Sequence, residues 1–455
     1  MKRCCKNIDI TDRELIAEAV WDCLSGKLTR SDTLRMFREY TGLPYEFLEK
    51  VAKNEKYMLH RIVDTVIDGI RQEIIDRRYI IKKIRYTEKK DSCTGKIRKI
   101  GIQDIKQQIY DYIAVYAMKE LFRKKIGYYQ CGAMKGKGSD FGAKAIYRWL
   151  KDKRNRWAWQ CDIRHYYENI SKKKLKERLR RDVKNEEVLH LVFFLIDTFP
   201  DGLSIGSYLS QFLANYYLSS AYAYVSGLQK VRKKRDGTRK SVTLVSHVLF
   251  QMDDLLLISH SKSDLKMAIK KFRKVIEEEM GLEIKETARF IDLQQEYIDI
   301  LGRKISRKNL TIRSSTFLKI RRAYRKAHRY VRKGEKIPYK LAKTCASRYG
   351  PLLHTDSRRF RRRYHVEKIN RVASKVISRE EKRRKEKEHA ENEVFKATGK
   401  SGSIRTERRK KRHCNLPERK NGGGSKRRDR RKNHSIRVRR EYLPHAQSNK
   451  RRSGS

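Results

Sequence analysis

Two adjacent aspartates, Asp253 and Asp254, lie between two apolar stretches of the sequence. The flanking apolar residues are Val245, Val248, Leu249 and Phe250 before the pair and residues 255–258 after it. Apolar runs without Gly or Pro predict two buried strands, with the acidic pair at the turn between them. Burial of neighbouring carboxylates is costly unless a cation compensates their charge, and a hard divalent metal would do so. The alternative is a solvated turn that binds no metal.

A third aspartate, Asp162, stands near the end of another predicted strand, residues 157–163. It is a second candidate metal ligand, although a turn or helix-capping aspartate explains this stretch better when it is taken alone. Between these acids, Gly202 and Gly206 stand among serines, ahead of an apolar helix predicted from about residue 212 to 225. Two glycines there suit the close approach of a ligand, or simply a loop that begins a helix.

The elements at the start of the chain are predicted to be helical. Thr11 to Glu14 has the spacing of a capping box, which predicts a helix to about residue 24. Ser31 is predicted to be the N-cap of a second helix that ends near residue 40. Apolar residues at helical spacing predict a third helix over residues 54–76. No chemistry is evident in this region.

A basic hairpin is predicted next, with strands at residues 80–86 and 96–102 joined by residues 91–95. Such a hairpin can lie along a phosphate backbone or close over a triphosphate, or it can be a solvated edge that lysines protect. A helix is predicted for residues 105–122. The Gly- and Lys-rich residues 132–139 could hold phosphates through backbone amides, although many surface loops share this composition.

The second half of the chain is predicted to alternate short strands and basic helices. Residues 230–240 predict a basic hairpin tip, and residues 264–280 predict a helix that ends at Gly281. A strand interrupted by a glycine is predicted for residues 297–305. Aromatic residues among many Arg and Lys predict a helical bundle from 316 to 377 that grips nucleic acid, or a solvated bundle with an ordinary apolar core.

The charge of the chain favours a polyanionic partner. The 455 residues include 113 Lys and Arg against 54 Asp and Glu, which gives a formal net charge of +59. The eight cysteines contain no C-x-x-C pair, so a zinc ribbon is not expected. Free thiols in a reducing cytoplasm are expected instead. No apolar run is long enough to predict a membrane span, and residues 1–9 lack the apolar core of a signal peptide.

In this order, the motifs resemble the polymerase palm of reverse transcriptases, over roughly residues 79–377. Residues 161–170 are similar to motif A of that family, residues 202–218 to motif B and residues 251–254 to motif C. Leu301-Gly302 is similar to the motif that supports the primer end, and Arg98 with Gly101, Ile102, Asp104 and Gln107 to the pattern of the fingers.

The resemblance implies RNA-directed DNA synthesis by nucleotidyl transfer on two Mg²⁺ ions about 3.5–4 Å apart, with Mn²⁺ as the alternative. Asp162 and Asp253 would bridge the ions, and the Ile163 carbonyl would complete one coordination shell. Asp254 would be a third carboxylate nearby with a less direct role. For the lysine of motif D the sequence leaves two candidates, Lys285 and Arg289.

The resemblance also implies four substrate-binding residues. Tyr167 would lie under the nucleotide sugar and exclude a 2′-hydroxyl, so that the preferred nucleotide is a deoxynucleotide. Arg98 would pair with the triphosphate, because a guanidinium fork matches phosphate oxygens. Gly206 would allow close approach to the incoming base and template, and Gln211 completes the same motif B.

Motif B indicates the subfamily. Ile205-Gly206-Ser207-Tyr208-Leu209-Ser210-Gln211 is typical of reverse transcriptases from diversity-generating retroelements, and residues 345–354 resemble their thumb. Those enzymes copy a template RNA with frequent errors at adenines and act with a small basic accessory protein. An apolar Ile205 in place of an amide favours looser base selection. Gln251 in place of an aromatic residue keeps a defence-associated or other bacterial or phage enzyme open.

The expected architecture is an α+β right-hand polymerase. It would have a helical N-terminal extension at residues 1–78, fingers at 79–156, a palm at 157–312, a helical thumb at 313–377 and a disordered basic tail at 378–455. The expected partners are template RNA, primer, dNTPs and the RNA–DNA hybrid, in the cytoplasm and without a membrane. The alternatives are an intron maturase, a catalytically idle RNA-binding protein and an RNA-dependent RNA polymerase. Tyr167 disfavours the last of these.

Overall fold

The computed structural model describes residues 3–90, 95 and 97–397, and only the backbone of residue 385 and of residues 387–397. The chain divides into two units, residues 1–382 and 383–455. The strands are β1 Arg85–Lys90, β2 Ile97–Ile102, β3 Gln130–Cys131, β4 Trp157–Asp162, β5 Gln229–Lys233, β6 Arg239–Thr243, β7 His247–Gln251, β8 Asp254–Ser259, β9 Arg289–Asp292, β10 Ile298–Ile300, β11 Arg303–Ile305 and β12 Leu310–Ile312.

Helices make up most of the remaining described chain. They are α1 Arg13–Leu24, α2 Ser31–Thr41, α3 Tyr45–Asn54, α4 Lys56–Ile75, α5 Ile105–Ala117, α6 Lys119–Lys125, α7 Ser139–Trp149, α8 Tyr166–Asn169, α9 Lys172–Asp182, α10 Glu186–Asp197, α11 Tyr208–Ser226, α12 Lys262–Lys274, α13 Ser314–Arg332, α14 Tyr339–Ser347, α15 Gly350–Leu353, α16 Arg358–Arg363 and α17 Val366–Ala397. A π-helical turn, Val275–Glu279, follows α12. The predicted mixture of helices and sheets is confirmed.

A five-stranded sheet with the order β3-β7-β8-β4-β9 lies at the centre. Strands β7 and β8 form the predicted hairpin, and both faces of β8 are buried. Leu255 and Leu257 face the larger apolar core, which includes α5, α10 and α11, whereas Leu256 and Ile258 face a second core under α7. Because side chains alternate along a strand, this run of four apolar residues serves two cores at once.

The N-terminal helices pack on α5, and their ends differ from the predictions. Asp12, not Thr11, caps α1, because the Thr11 hydroxyl donates to Asp9 instead. Ser31 is the first residue of α2, not its cap. Helix α3 was not predicted, and α4 begins only at Lys56.

A partly buried polar network ties these N-terminal helices to α5. The Glu73 carboxylate of α4 accepts hydrogen bonds from the hydroxyls of Tyr40 and Tyr110 and pairs with the ammonium of Lys106. Burying a carboxylate is tolerable here because a cation and two donors satisfy it. The network fixes α2 and α4 against α5.

Three predicted elements have different boundaries in the structure. Strand β1 begins at Arg85 rather than at residue 80, and residues 91–94 of its connection to β2 lie outside the described residues. The helix predicted for 105–122 breaks at Met118 into α5 and α6. The strand predicted for 297–305 is the hairpin β10–β11, because Leu301 and Gly302 both have positive φ, 59° and 72°, as a tight type I′ turn requires.

The helices after β12 form their own core around Ile320 and Tyr324. The prediction of a disordered tail from residue 378 is wrong as far as residue 397, because α17 is one continuous helix over Val366–Ala397. Residues 398–455 lie outside the described residues. None of the helices in the described part of the chain has the length and apolarity that crossing a bilayer requires.

Candidate active site

The structure brings the three predicted acids together at one end of the central sheet. In the antiparallel pairing of β4 with β8, Asp162 stands directly opposite Asp254. Opposite residues in such a pair have Cα atoms about 4.5–5.5 Å apart. Asp253 lies in the β7–β8 turn, and its carbonyl accepts a hydrogen bond of 3.1 Å from the Ile163 amide. Residues more than ninety positions apart in the sequence are therefore held in one place by strand register.

The electrostatics of these acids favour a bound cation. Burial, with the charge of Asp162 as a second cause, raises the pKa of Asp253 above its usual value. Burial also raises the pKa of Asp254 to about 6, and the charges of Asp253 and Asp162 add to the effect. Half-buried carboxylates that repel one another are a donor set that a divalent cation fits, because the charge of the cation offsets both the burial and the repulsion.

Lysine 285 already contacts one of the acids. Its ammonium pairs with the Asp162 carboxylate, and its backbone amide donates to the Asp162 carbonyl at 2.9 Å. Within the described ranges, no three His, Cys, Asp or Glu side chains stand close enough together to hold a metal as they are. In this structure the Lys285 ammonium supplies the positive charge next to the Asp162 carboxylate.

The other motif D candidate, Arg289, lies in β9 and pairs with Glu296 at 2.8 Å. It borders a cavity of about 250 Å³ together with Asp162 and Asp254. Both candidates thus lie near the acids, and Lys285 is the one that contacts them.

Tyr167 lies against the turn that carries the acids. It belongs to α8, directly after β4, and its hydroxyl lies 3.8 Å from the Met252 sulfur. Burial raises the pKa of Tyr167 to about 12, and the nearby charge of Asp253 contributes. Its carbonyl accepts a hydrogen bond of 2.8 Å from the Leu203 amide, which ties the tyrosine to residues 202–207, here called the glycine–serine loop.

The glycine–serine loop contacts the β1–β2 hairpin at Gly206. This residue has φ of +114°, and an added Cβ would lie 2.5 Å from the carbonyl oxygen of Gly101 in β2. The neighbouring Ile205 carbonyl accepts a hydrogen bond of 2.8 Å from the Gly101 amide. The close approach that the glycine permits is thus to strand β2 of the chain itself.

Replacing Gly206 with alanine is expected to destabilise the fold by about 1–3 kcal/mol, because the side chain would be both strained and in collision with β2. Thermal unfolding of the two proteins measures this difference. Gly334→Ala is the matched control, because Gly334 also has positive φ, +73°, but nothing lies within 4 Å of an added Cβ. Equal losses in the two variants would show that the contact with β2 does not matter.

Asp111 is a residue of this site that the sequence interpretation missed. It is buried in α5 and accepts hydrogen bonds from the Ser207 hydroxyl at 2.6 Å and the Leu209 amide at 3.3 Å. Burial raises its pKa to about 6. Asp111 therefore anchors the first turn of α11. The sequence feature that could have indicated this role is that Asp111 is the one acid among the apolar residues of α5.

The remaining predicted residues lie around the same centre. Arg98 is exposed on β2, and its charge is near enough to oppose the rise in the pKa of Asp253. Gln211 is half-buried in α11, one turn after Ser207. The loop of residues 132–139 packs on the acidic turn, since an added Cβ at Gly132 would lie 2.8 Å from the methyl carbon of Met252.

Helix α11 begins earlier than the sequence predicts. The hydroxyl of Ser207 accepts from the Ser210 amide and so caps a helix that starts at Tyr208, not at residue 212. Gln211 therefore belongs to a helix rather than to a loop, and this helix fixes its position.

Comparison with known proteins finds one family that is similar to the middle of the chain. Residues 87–305, just under half of the chain, match the model of the reverse transcriptase (RNA-dependent DNA polymerase) family. No curated protein matches the chain. Among solved structures, the telomerase of Candida albicans in complex with a TWJ fragment of telomeric RNA is similar, with a TM-score of 0.37 and 11% identity over 53% of this chain. The chain spans 46% of that one. Residues 87–305 are therefore similar to the reverse transcriptase family, whose activity is RNA-dependent DNA polymerisation.

Proposed function

We propose that this chain copies a template RNA into cDNA by metal-dependent nucleotidyl transfer within a diversity-generating retroelement. The observation that carries the reaction is the convergence of Asp162, Asp253 and Asp254 at the end of one sheet, where each of them is half-buried. A protein that only binds RNA gains nothing from half-buried carboxylates that repel one another, because their partial burial costs stability.

Asp162, Asp253 and the Ile163 carbonyl would hold the metal, with Asp254 next to them. Two Mg²⁺ ions, or Mn²⁺, would activate the primer 3′-hydroxyl and neutralise the leaving pyrophosphate. Lys285 would compensate the charge of Asp162 when no cation is bound, and its ammonium would be available to the anionic triphosphate when one is.

The substrate residues are proposed to act from the elements around the acids. Arg98 would pair with the triphosphate from β2, and the Gly101–Ile205 hydrogen bond supports this because it joins the hairpin to the glycine–serine loop. A cavity of about 400 Å³ lies between them and includes Lys99 and Ser204. Gln211 would act from the first turns of α11.

The right-hand architecture is part of the same proposal. Residues 79–156 would be the fingers, 157–312 the palm and 313–377 the thumb, with the N-terminal helices of 1–78 as an extension. The separate helical core after β12 supports a thumb. The β10–β11 turn at Leu301-Gly302 would support the primer end.

The retroelement context depends on Ile205, an apolar residue where an amide could hydrogen-bond near the nucleotide. It is half-buried in the loop that meets β2. Looser base selection is expected from it, because a site without that hydrogen bond discriminates less. The partners would be template RNA, primer, dNTPs and a small basic accessory protein.

Sequencing of cDNA made on a primed RNA with Mg²⁺ tests this proposal. We expect dNTP incorporation with errors concentrated opposite template adenines, and fewer such errors from Ile205→Gln, which restores an amide. Failure to incorporate any dNTP would overturn the polymerase mechanism. Faithful copying at adenines would overturn the retroelement context alone.

A further inference from the structure

A second basic hairpin, formed by β5 and β6, connects α11 to β7. Its residues 229–243 include seven basic side chains and one acid. The basic residues are Lys230, Arg232, Lys233, Lys234, Arg235, Arg239 and Lys240. All of them except Lys230 are exposed, so this element, here called the basic hairpin, presents a dense positive charge to solvent.

The register of the basic hairpin places like charges directly opposite each other. Arg232 stands opposite Lys240, and Lys233 stands opposite Arg239. Like charges at such positions destabilise a strand pair. The one acid of the hairpin, Asp236, accepts hydrogen bonds from the amide and the hydroxyl of Thr238 in the turn. Among the described residues, none of these four cations has an ion-pair partner, so the fold bears an uncompensated repulsion.

The basic hairpin lies away from the catalytic acids. Helix α11 begins beside the glycine–serine loop and ends at Ser226, which is roughly 28 Å along its axis. The hairpin follows that far end, and Lys230 ties it to Asp264 at the start of α12. It therefore stands outside the site that contains Asp162 and Asp253.

Helix α12 adds a second row of positive charge beside the hairpin. Lys262, Lys266, Lys270 and Lys274 recur at every fourth residue and are all exposed. Like charges at this spacing also destabilise a helix. The row, called the lysine ridge below, is about 18 Å long. Asp264 is the one acid of α12 and pairs with Lys230, and Lys274 lies 3.9 Å from the Glu278 carboxylate beyond the end of the helix.

We propose that the basic hairpin and the lysine ridge bind the phosphate backbone of RNA outside the catalytic site. A polyanion offsets the repulsion that the fold leaves uncompensated in the basic hairpin, and guanidinium and ammonium groups are the donors that phosphates prefer. RNA is the expected polyanion because the proposed function supplies a template that extends beyond the site of synthesis. The proposal rests on that function for the identity of its ligand.

The test uses the full-length protein with Arg232→Gln, Lys233→Gln, Arg239→Gln and Lys240→Gln combined. Its affinity for a labelled long structured RNA is measured at several salt concentrations. We expect affinity to fall at least about tenfold and the slope of log affinity against log salt to decrease by about three, as loss of four phosphate contacts predicts. The thermal midpoint should stay equal or rise, because the repulsive pairs are gone.

The control variant removes four positive charges elsewhere: Lys50→Gln, Lys53→Gln, Lys56→Gln and Arg61→Gln on α3 and α4. An equal loss of affinity in this control, or unchanged affinity and slope in the hairpin variant, would overturn the proposal. Incorporation is also measured on a primed duplex of about eight base pairs, at most roughly 28 Å long. The hairpin variant should match the wild type there, and a wild type inactive on every template would count against the polymerase function only.

Discussion

Replacing Asp253 with asparagine is expected to reduce Mg²⁺-dependent dNTP incorporation on a primed RNA at least about 1,000-fold. A bound metal supplies several kcal/mol of transition-state stabilisation, and each 1.36 kcal/mol corresponds to a factor of ten in rate. The amide keeps the shape of the side chain but removes the charge that would hold the cation. Primer extension with saturating dNTPs measures the loss, and RNA binding is expected to remain near that of the wild type.

The same substitution is expected to leave the metal-free fold as stable as the wild type, or more stable. Burial and the charge of Asp162 raise the pKa of the Asp253 carboxyl in the folded state. A raised carboxyl pKa means that the ionised group opposes folding at neutral pH, since the unfolded chain holds the charge at lower cost. Asparagine removes this penalty. Thermal unfolding in the presence of a chelator measures it, and an activity loss without a stability loss excludes simple unfolding.

The control for Asp253 is Asp76→Asn, which changes an exposed aspartate at the end of α4. It removes the same charge far along the chain from the sheet and should leave incorporation unchanged. Incorporation by the Asp253 variant within tenfold of this control would contradict the assignment of the acids.

The strands that carry the acids could be predicted because their signal is local. Four apolar residues in a row, 255–258, indicate a strand buried on both faces, and the structure shows that each face meets its own core. The position of Asp162 opposite Asp254, in contrast, has no local signal in the sequence. It depends on the register of two strands far apart in the sequence, and the family resemblance, not the pattern, made it an expectation.

The contacts that complete the site could not be predicted, because they are tertiary. Nothing local distinguishes Lys285 from Arg289, yet one contacts Asp162 and the other pairs with Glu296. The sequence predicts a ligand near Gly206, and only the structure shows that the Gly101 carbonyl also lies beside it. A sequence pattern gives residue types and spacing, whereas these contacts depend on how separate elements pack.

The predicted ends of helices and strands were wrong for a related reason. Thr11 and Asp12 are both good caps, and the choice between them was made by Asp9, which takes the threonine hydroxyl. Leu301 was expected within a strand because it is apolar. Gly302 after it allows a two-residue turn, and the pairing of β10 with β11 makes that turn favourable.

Replacing Tyr167 with alanine is expected to raise the use of ribonucleotides relative to deoxynucleotides at least about tenfold. The ring lies beside the acidic turn, with its hydroxyl 3.8 Å from the Met252 sulfur, so it would meet the sugar of a nucleotide bound at the acids. Steric discrimination of a small group is worth about 1–3 kcal/mol, or roughly 10–200-fold. The measurement is kcat/KM for a ribonucleotide divided by that for the matching deoxynucleotide.

The matched control is Tyr167→Phe, which keeps the ring and removes only the hydroxyl contact with Met252. If the ring excludes the 2′-hydroxyl, phenylalanine should discriminate like the wild type while alanine does not. A ratio of two rate constants is the right readout, because any loss of stability from the smaller side chain lowers both values equally. Equal ratios in all three proteins would remove the selective role of Tyr167 and leave it as a support for the turn that carries Asp253.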